Sequence, residues 1–91
     1  MLYPRRYNVK ATINTSVPVS TIKDEISSSI GKIITVKEYN RQRKITHQYT
    51  GVIIAVYDRV FLLDVNVNKY HLNKSLAYVN FSIGDMEYEL N

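Results

Sequence analysis

Residues 32–57 read KIITVKEYNRQRKITHQYTGVIIAVY. β-Branched and aromatic residues crowd both flanks, and NRQRK at 40–44 breaks them with five polar side chains. That pattern predicts a strand over 32–39, a turn, and a longer strand over 45–57. Gly51 lies inside the second strand, where a glycine marks a bend or a bulge.

Toward the C-terminus the β pattern continues. Asp58-Arg59 reads as a tight turn and VFLLDV (60–65) as a buried strand. NVNKYHLNK (66–74) is rich in asparagine and reads as a loop. SLAYVNF (75–81) reads as a strand, Gly84-Asp85 as a turn, and MEYEL (86–90) as a last strand. In that strand Met86, Tyr88 and Leu90 share one face, while Glu87 and Glu89 share the other, a solvated face. Toward the N-terminus Val19, Ile22, Ile26 and Ile30 recur at helical spacing, which predicts a helix over 20–30. Ser20 or Thr21 is placed to cap it, Asp24 and Glu25 fall in its first turn, and Gly31 suits a residue of positive φ beyond its end. Before Pro18, YNVKATIN (7–14) alternates, with Tyr7, Val9, Ala11 and Ile13 on one face. It reads as a further strand.

One short helix followed by five short strands is too little for a sandwich. A bent antiparallel sheet that closes on itself removes its edges at this size. The sequence therefore predicts a mainly β fold: a small five-stranded antiparallel barrel of SH3-like or Sm-like type over 19–91, capped by the helix, with 1–18 as an N-terminal extension. Ile22, Ile26, Ile34, Val36, Ile53, Phe61 and Leu63 are its expected core.

Composition narrows the function classes. Ninety-one residues have room for one core and no second domain. Cysteine is absent, which excludes disulfide frameworks, thiolate metal sites and cysteine nucleophiles. No apolar run reaches the roughly 18–20 residues that span a bilayer, and MLYPRRYNVK lacks the apolar core of a signal peptide. A cytoplasmic location is the expectation. The net charge of +4 is uneven: residues 1–44 carry nine Lys and Arg against three acids, and residues 45–91 carry three against five. A one-sided field of that kind fits an anionic partner.

Signals of catalysis are missing. His47 and His71 stand far apart with no metal-ligand spacing. Ser27, Ser28 and Ser29 lie late in the expected helix rather than on a nucleophile elbow. The three glycines are too scattered for a phosphate-cradling loop. The sequence predicts no enzyme, no cofactor, no metal and no small-molecule substrate. The best functional candidate is the basic turn, where Lys37, Arg41, Arg43 and Lys44 surround Tyr39. Arginine forks pair with phosphates, and a neighbouring tyrosine can stack on a base. Of the eight tyrosines, Tyr57, Tyr78 and Tyr88 lie on apolar strand faces, whereas Tyr3, Tyr39, Tyr49 and Tyr70 have polar neighbours and are expected to be partly exposed.

The order of these elements resembles the Veg family, small cytoplasmic proteins of Firmicutes associated with biofilm formation. Ser20, Ile22 and Lys23 are similar to that family's Ser-x-Ile-Lys opening, and Gly31-Lys32 with Ile34, Val36 and Lys37 to its first strand. Arg41, Arg43 and Lys44 resemble its basic turn. Gly51-Val52-Ile53, then Val56-Tyr57, Val60 and Phe61, then Tyr78, Asn80 and Glu89-Leu90 continue the likeness over residues 19–90. Asp58, Arg59 and Asn80 depart from the family pattern. The resemblance implies a small β-barrel without enzymatic activity and a regulatory role in gene expression and biofilm control.

Two readings of the partner follow. One is a protein partner such as a transcription regulator, which needs an apolar patch or an open strand edge. The other is nucleic acid, which needs the basic turn on one exposed face with an aromatic in reach. The strand at 7–14 needs a sheet edge as well. That edge belongs either to its own barrel or to a second copy in a homodimer, and the homodimer is the reading favoured by sequence.

Overall fold

The computed structural model describes residues 17–91. Helix α1 spans Val19–Ser27 and is followed by β1 (Ile33–Tyr39), β2 (Ile45–Val56), β3 (Val60–Val67), β4 (Tyr70–Ala77), helix α2 (Tyr78–Ser82) and β5 (Met86–Leu90). The strands form one antiparallel sheet in the order β4-β3-β2-β1-β5. The number of strands and their antiparallel pairing are as the sequence predicts.

The expected core is buried throughout: Ile22, Ile26, Ile34, Val36, Ile53, Phe61 and Leu63 have no exposed surface. Ile22 and Ile26 of α1 pack on the inner face of the sheet together with Tyr78 and Phe81 of α2. The rings of Phe61 and Tyr78 stack at 5.7 Å, and Phe81 meets Tyr88 edge-on at 5.4 Å. Tyr88 also donates its hydroxyl hydrogen to a carboxylate oxygen of Glu25, tying β5 to α1.

Several expectations are corrected. The sheet does not close: among the described residues β4 pairs only with β3, and β5 only with β1. Helix α2 lies in the chain between these two edges and touches both. It takes part of the stretch expected as a strand over 75–81, because burying Tyr78 and Phe81 together requires their three-residue spacing on one helix face. The asparagine-rich stretch 66–74 is not a loop but the tip of a hairpin. Asn68 and Lys69 both take positive φ, 50° and 73°, which is the signature of a two-residue primed turn, and Val67 faces Tyr70 across it.

Helix α1 stops three residues early. Its N-cap is Pro18, without a side-chain cap, and neither Asp24 nor Glu25 falls in its first turn. Ile30 is 53% exposed beyond its end, while Gly31 does take positive φ, 90°. Tyr57 is exposed rather than packed on the sheet, and Glu87 is buried rather than solvated, whereas Tyr49 is partly exposed as expected. The strand expected at 7–14, with Tyr7, Val9, Ala11 and Ile13, lies outside the described residues.

Gly51 is neither the bend nor the bulge. The β2–β3 register shifts between Ile53 and Ala55, so Ile54 is the extra residue. Gly51 serves close approach instead: a Cβ there would lie 2.6 Å from the Asp64 carbonyl oxygen and 2.8 Å from Leu63 Cγ. Gly51→Ala is therefore expected to destabilise the fold by about 1–3 kcal/mol, because β3 backbone must shift. Phe61→Ala, which empties the centre of the core, is expected to cost about 3–5 kcal/mol. Urea titration of both variants checks these values.

Candidate functional site

The turn between β1 and β2 is held by Asn40. Its side-chain oxygen accepts hydrogen bonds from the backbone N–H groups of Gln42 and Lys44, at 2.9 and 3.0 Å. Its own N–H donates to the Lys44 carbonyl at 2.9 Å, and its carbonyl accepts from the Arg43 N–H at 3.0 Å. Arg43 itself takes a φ of 63°. From there its guanidinium lies 5.2 Å from the centre of the Tyr39 ring and donates to the Gly84 carbonyl at 3.0 Å. Tyr39 donates its hydroxyl hydrogen to Glu87 Oε1 at 2.9 Å, and that carboxylate belongs to a residue only 4% exposed.

These contacts form one wall of an open cleft of about 680 Å³, lined among others by Tyr39, Arg41, Arg43, Asn80, Asp85 and Met86. Of the five residues singled out in the basic turn, the structure brings Tyr39, Arg41 and Arg43 into this cleft. Lys37 lies further along β1 opposite Glu87, Lys44 is exposed, and neither lines it. Glu38 and Asp85 line the same cleft, so two acidic residues stand among its two arginines. Arg43 already holds a ring and a carbonyl, which makes it a structural clamp on the turn from β1 to β5.

A second cleft of about 470 Å³ lies in the seam between β4 and β5. It is lined by Leu72, Lys74 and Leu76 of β4 and shares Glu38, Asn80 and Met86 with the first, so the two run together. Cross-strand pairing puts Leu72, Lys74 and Leu76 opposite Val65, Leu63 and Phe61, on the face that carries the core. Toward the hairpin tip this face is uncovered: Val67 is 48%, Leu72 53% and Tyr70 78% exposed. The β4 edge beside it presents backbone N–H and C=O groups without ladder partners among the described residues. Sequence reasoning missed this surface because it read residues 66–74 as a loop. The alternation of Val65 and Val67 with Tyr70 and Leu72 across Asn68-Lys69 was the signal that marks it.

Polar side chains near the seam form a small network. Tyr49 donates to Glu38 Oε2 at 2.6 Å, His47 Nδ1 lies 3.5 Å from Glu38 Oε1, and Lys74 Nζ sits 4.8 Å from the Tyr49 ring centre. His71 Nδ1 lies 3.1 Å from Asp64 Oδ1 on the outer side of the β3–β4 pair. The two histidines thus serve different carboxylates, and no group of three potential metal ligands occurs among the described residues. The hydroxyls of Ser28 and Ser29 donate to the carbonyls of Asp24 and Glu25, at 3.0 and 2.8 Å. They are bound as helix back-bonds and not poised as nucleophiles. No helix among the described residues is long and apolar enough to cross a membrane.

Two measurements test this geometry. Tyr39→Phe removes a donor from the buried Glu87 carboxylate and is expected to cost about 1–3 kcal/mol in a urea titration. The Tyr49 hydroxyl is held well above the ordinary tyrosine range, first by burial, then by its hydrogen bond to Glu38 and by that carboxylate's charge. The folded state therefore keeps a proton that the unfolded chain releases near about pH 10. The stability linked to it is intact below about pH 10 and declines as the pH rises above that value. Burial pushes Tyr78 up as well, so Tyr49→Phe is expected to make the alkaline decline shallower without abolishing it.

A family model described as biofilm formation stimulator VEG matches residues 17–83. No curated protein gives a significant match.

Proposed function

The chain belongs to the family of the biofilm formation stimulator VEG, and from that premise we propose that it is a non-enzymatic, cytoplasmic regulator that acts through protein contacts. In this reading its partner is a protein such as a transcription regulator, and biofilm control is the downstream effect. The observation that carries it is the edge of β4 that faces away from β3. Along its eight residues it has no ladder partner among the described residues, and it runs beside an apolar, uncovered face at Tyr70 and Leu72. An extended segment of a partner adds to such an edge through main-chain hydrogen bonds, and alternate side chains supply specificity. We read the sheet as a small SH3-like barrel whose seam is bridged by α2 in place of a ladder.

A second reading keeps nucleic acid as the partner. Arg41 and Arg43 beside the Tyr39 ring favour it, because an arginine pair with an aromatic suits a phosphate and a base. Glu38 and Asp85, which line the same cleft, weigh against it. Affinity capture from native lysate, with and without nuclease, separates the two. Leu72→Lys puts a charge on the docking face and is expected to reduce nuclease-resistant capture by about tenfold or more, equivalent to about 1.4 kcal/mol. The combined substitution of Arg41, Arg43 and Lys44 by alanine is expected to leave it unchanged. Capture that vanishes with nuclease and with the triple substitution, but ignores Leu72→Lys, replaces the protein reading with the nucleic-acid one.

A further inference from the structure

Four charged residues line the cleft beside the β1–β2 turn: Glu38, Arg41, Arg43 and Asp85. The register that sets Glu38 opposite Met86 gathers them from distant parts of the chain, and so does the Tyr39 N–H, which donates to the Asp85 carbonyl at 2.9 Å. Opposite charges that share a cleft attract one another, yet here neither arginine forms an ion pair with either acid. The ion pairs among the described residues have other members, Glu38 with His47 among them. Two of the four charges are fixed by contacts of their own. Arg43 is held by the Tyr39 ring and the Gly84 carbonyl, and Glu38 by the Tyr49 hydroxyl. The other two, Arg41 and Asp85, are exposed, and neither side chain has a hydrogen bond or an ion pair among the described residues.

Charges of both signs that do not neutralise one another favour a particular ligand. A simple anion is drawn to the arginines and repelled by the acids, and a simple cation meets the reverse. A molecule with both charges is attracted at each end. Because Arg43 and Glu38 are already fixed, little ordering is needed to receive it. The cleft volume, about 680 Å³, lies in the range of about 300–1,000 Å³ that small molecules occupy. Tyr39 and Met86 add apolar lining, and the side-chain amide of Asn80 adds a donor and an acceptor. No motif in the sequence announces such a site, because its parts stand at 38, 41, 80 and 85 and meet only through the pairing of β1 with β5.

We infer that this cleft binds a small zwitterion of the amino-acid class, its carboxylate toward Arg41 and Arg43 and its ammonium toward Asp85 and Glu38. The site is separate from the β4 edge on which the proposed protein contact rests, so either stands without the other. Arg43 and Glu38 supply the fixed charges, and Arg41 and Asp85 close on the ligand from the two turns.

Titration of the full-length protein with L-leucine, followed by amide chemical shifts, tests this. Saturable shifts are expected at the amides of residues 39–43 and 84–86. Leucinamide, which lacks the carboxylate, and isocaproate, which lacks the ammonium, are each expected to bind about tenfold or more weaker. Arg41→Gln and Asp85→Asn remove one charge each from side chains that hold nothing else in the fold. Each is expected to weaken leucine binding by about tenfold or more, while the shifts of β2 and β3 amides stay as in the native protein and report that the fold is intact. The absence of saturable shifts with leucine overturns the inference. So does isocaproate that binds as well as leucine, which would make the cleft a plain anion site, and so does leucine binding that is indifferent to both substitutions. Inorganic phosphate that binds more tightly than leucine, and is lost with Arg41→Gln but not with Asp85→Asn, also overturns it and gives the cleft to a phosphate. Capture of a protein partner through Leu72 is expected to be the same with and without leucine, so failure here leaves the proposed function standing.

Discussion

The contact on which the rest of the fold depends is the stack of Phe61 on Tyr78. Phe61 belongs to β3, the strand beside the β4 edge, and Tyr78 opens the short helix between β4 and β5. Phe61 also meets Phe81 at 5.9 Å, and Phe81 meets Tyr88 of β5. The row of rings thus runs from β3, beside one edge strand, to β5 at the other edge. It does by side-chain packing what a ladder would otherwise do by backbone hydrogen bonds. Among the described residues the two edges are held near one another yet remain unjoined, and the seam between them is open as a cleft.

An open seam has an energetic cost. An unpaired edge leaves backbone groups to water and invites unwanted pairing. Lys74 is half-buried on the inner face of β4, with its ammonium over the Tyr49 ring, and a charge in that position discourages indiscriminate strand addition. The polar group Glu38, bound to Tyr49 at the end of the inner face of β1, stops the apolar core from running on into the seam. The surface that remains, around Tyr70 and Leu72, is small, and its limits are set by these polar neighbours.

The core of the fold was legible in the sequence because its signal is periodic. Ile22 and Ile26 at helical spacing, and Ile34, Val36, Phe61 and Leu63 at strand spacing, all lie where their periods put them. The misread elements are those in which two local signals compete. Asn66, Asn68 and Asn73 carry the composition of a loop, yet the asparagine at 68 is what a primed turn needs, and Val67 and Tyr70 carry the strand period across it. Leu76, Tyr78 and Asn80 keep an apparent alternation through a helix start, and a five-residue helix is too short to show its own period. The basic turn was legible as a cluster of charge. Its division into a clamp at Arg43, an exposed cation at Lys44 and a cleft residue at Arg41 was not, because it rests on the positive φ of Arg43 and on the distant Gly84 carbonyl.

The strand order also sets the order in which the chain can fold. Strands β2, β3 and β4 follow one another as a meander, and the primed turn at Asn68-Lys69 biases the β3–β4 hairpin before any long-range contact exists. The pairing of β1 with β5 joins Lys37 to Glu87 across almost the whole domain, and its chain-closure entropy must be met by contacts already in place. The meander is therefore the natural nucleus and the docking of β5 a late event. During that interval Glu87, Tyr88 and the inner face of β1 are open to water, and the carboxylate that ends up buried beside Tyr39 enters the fold last.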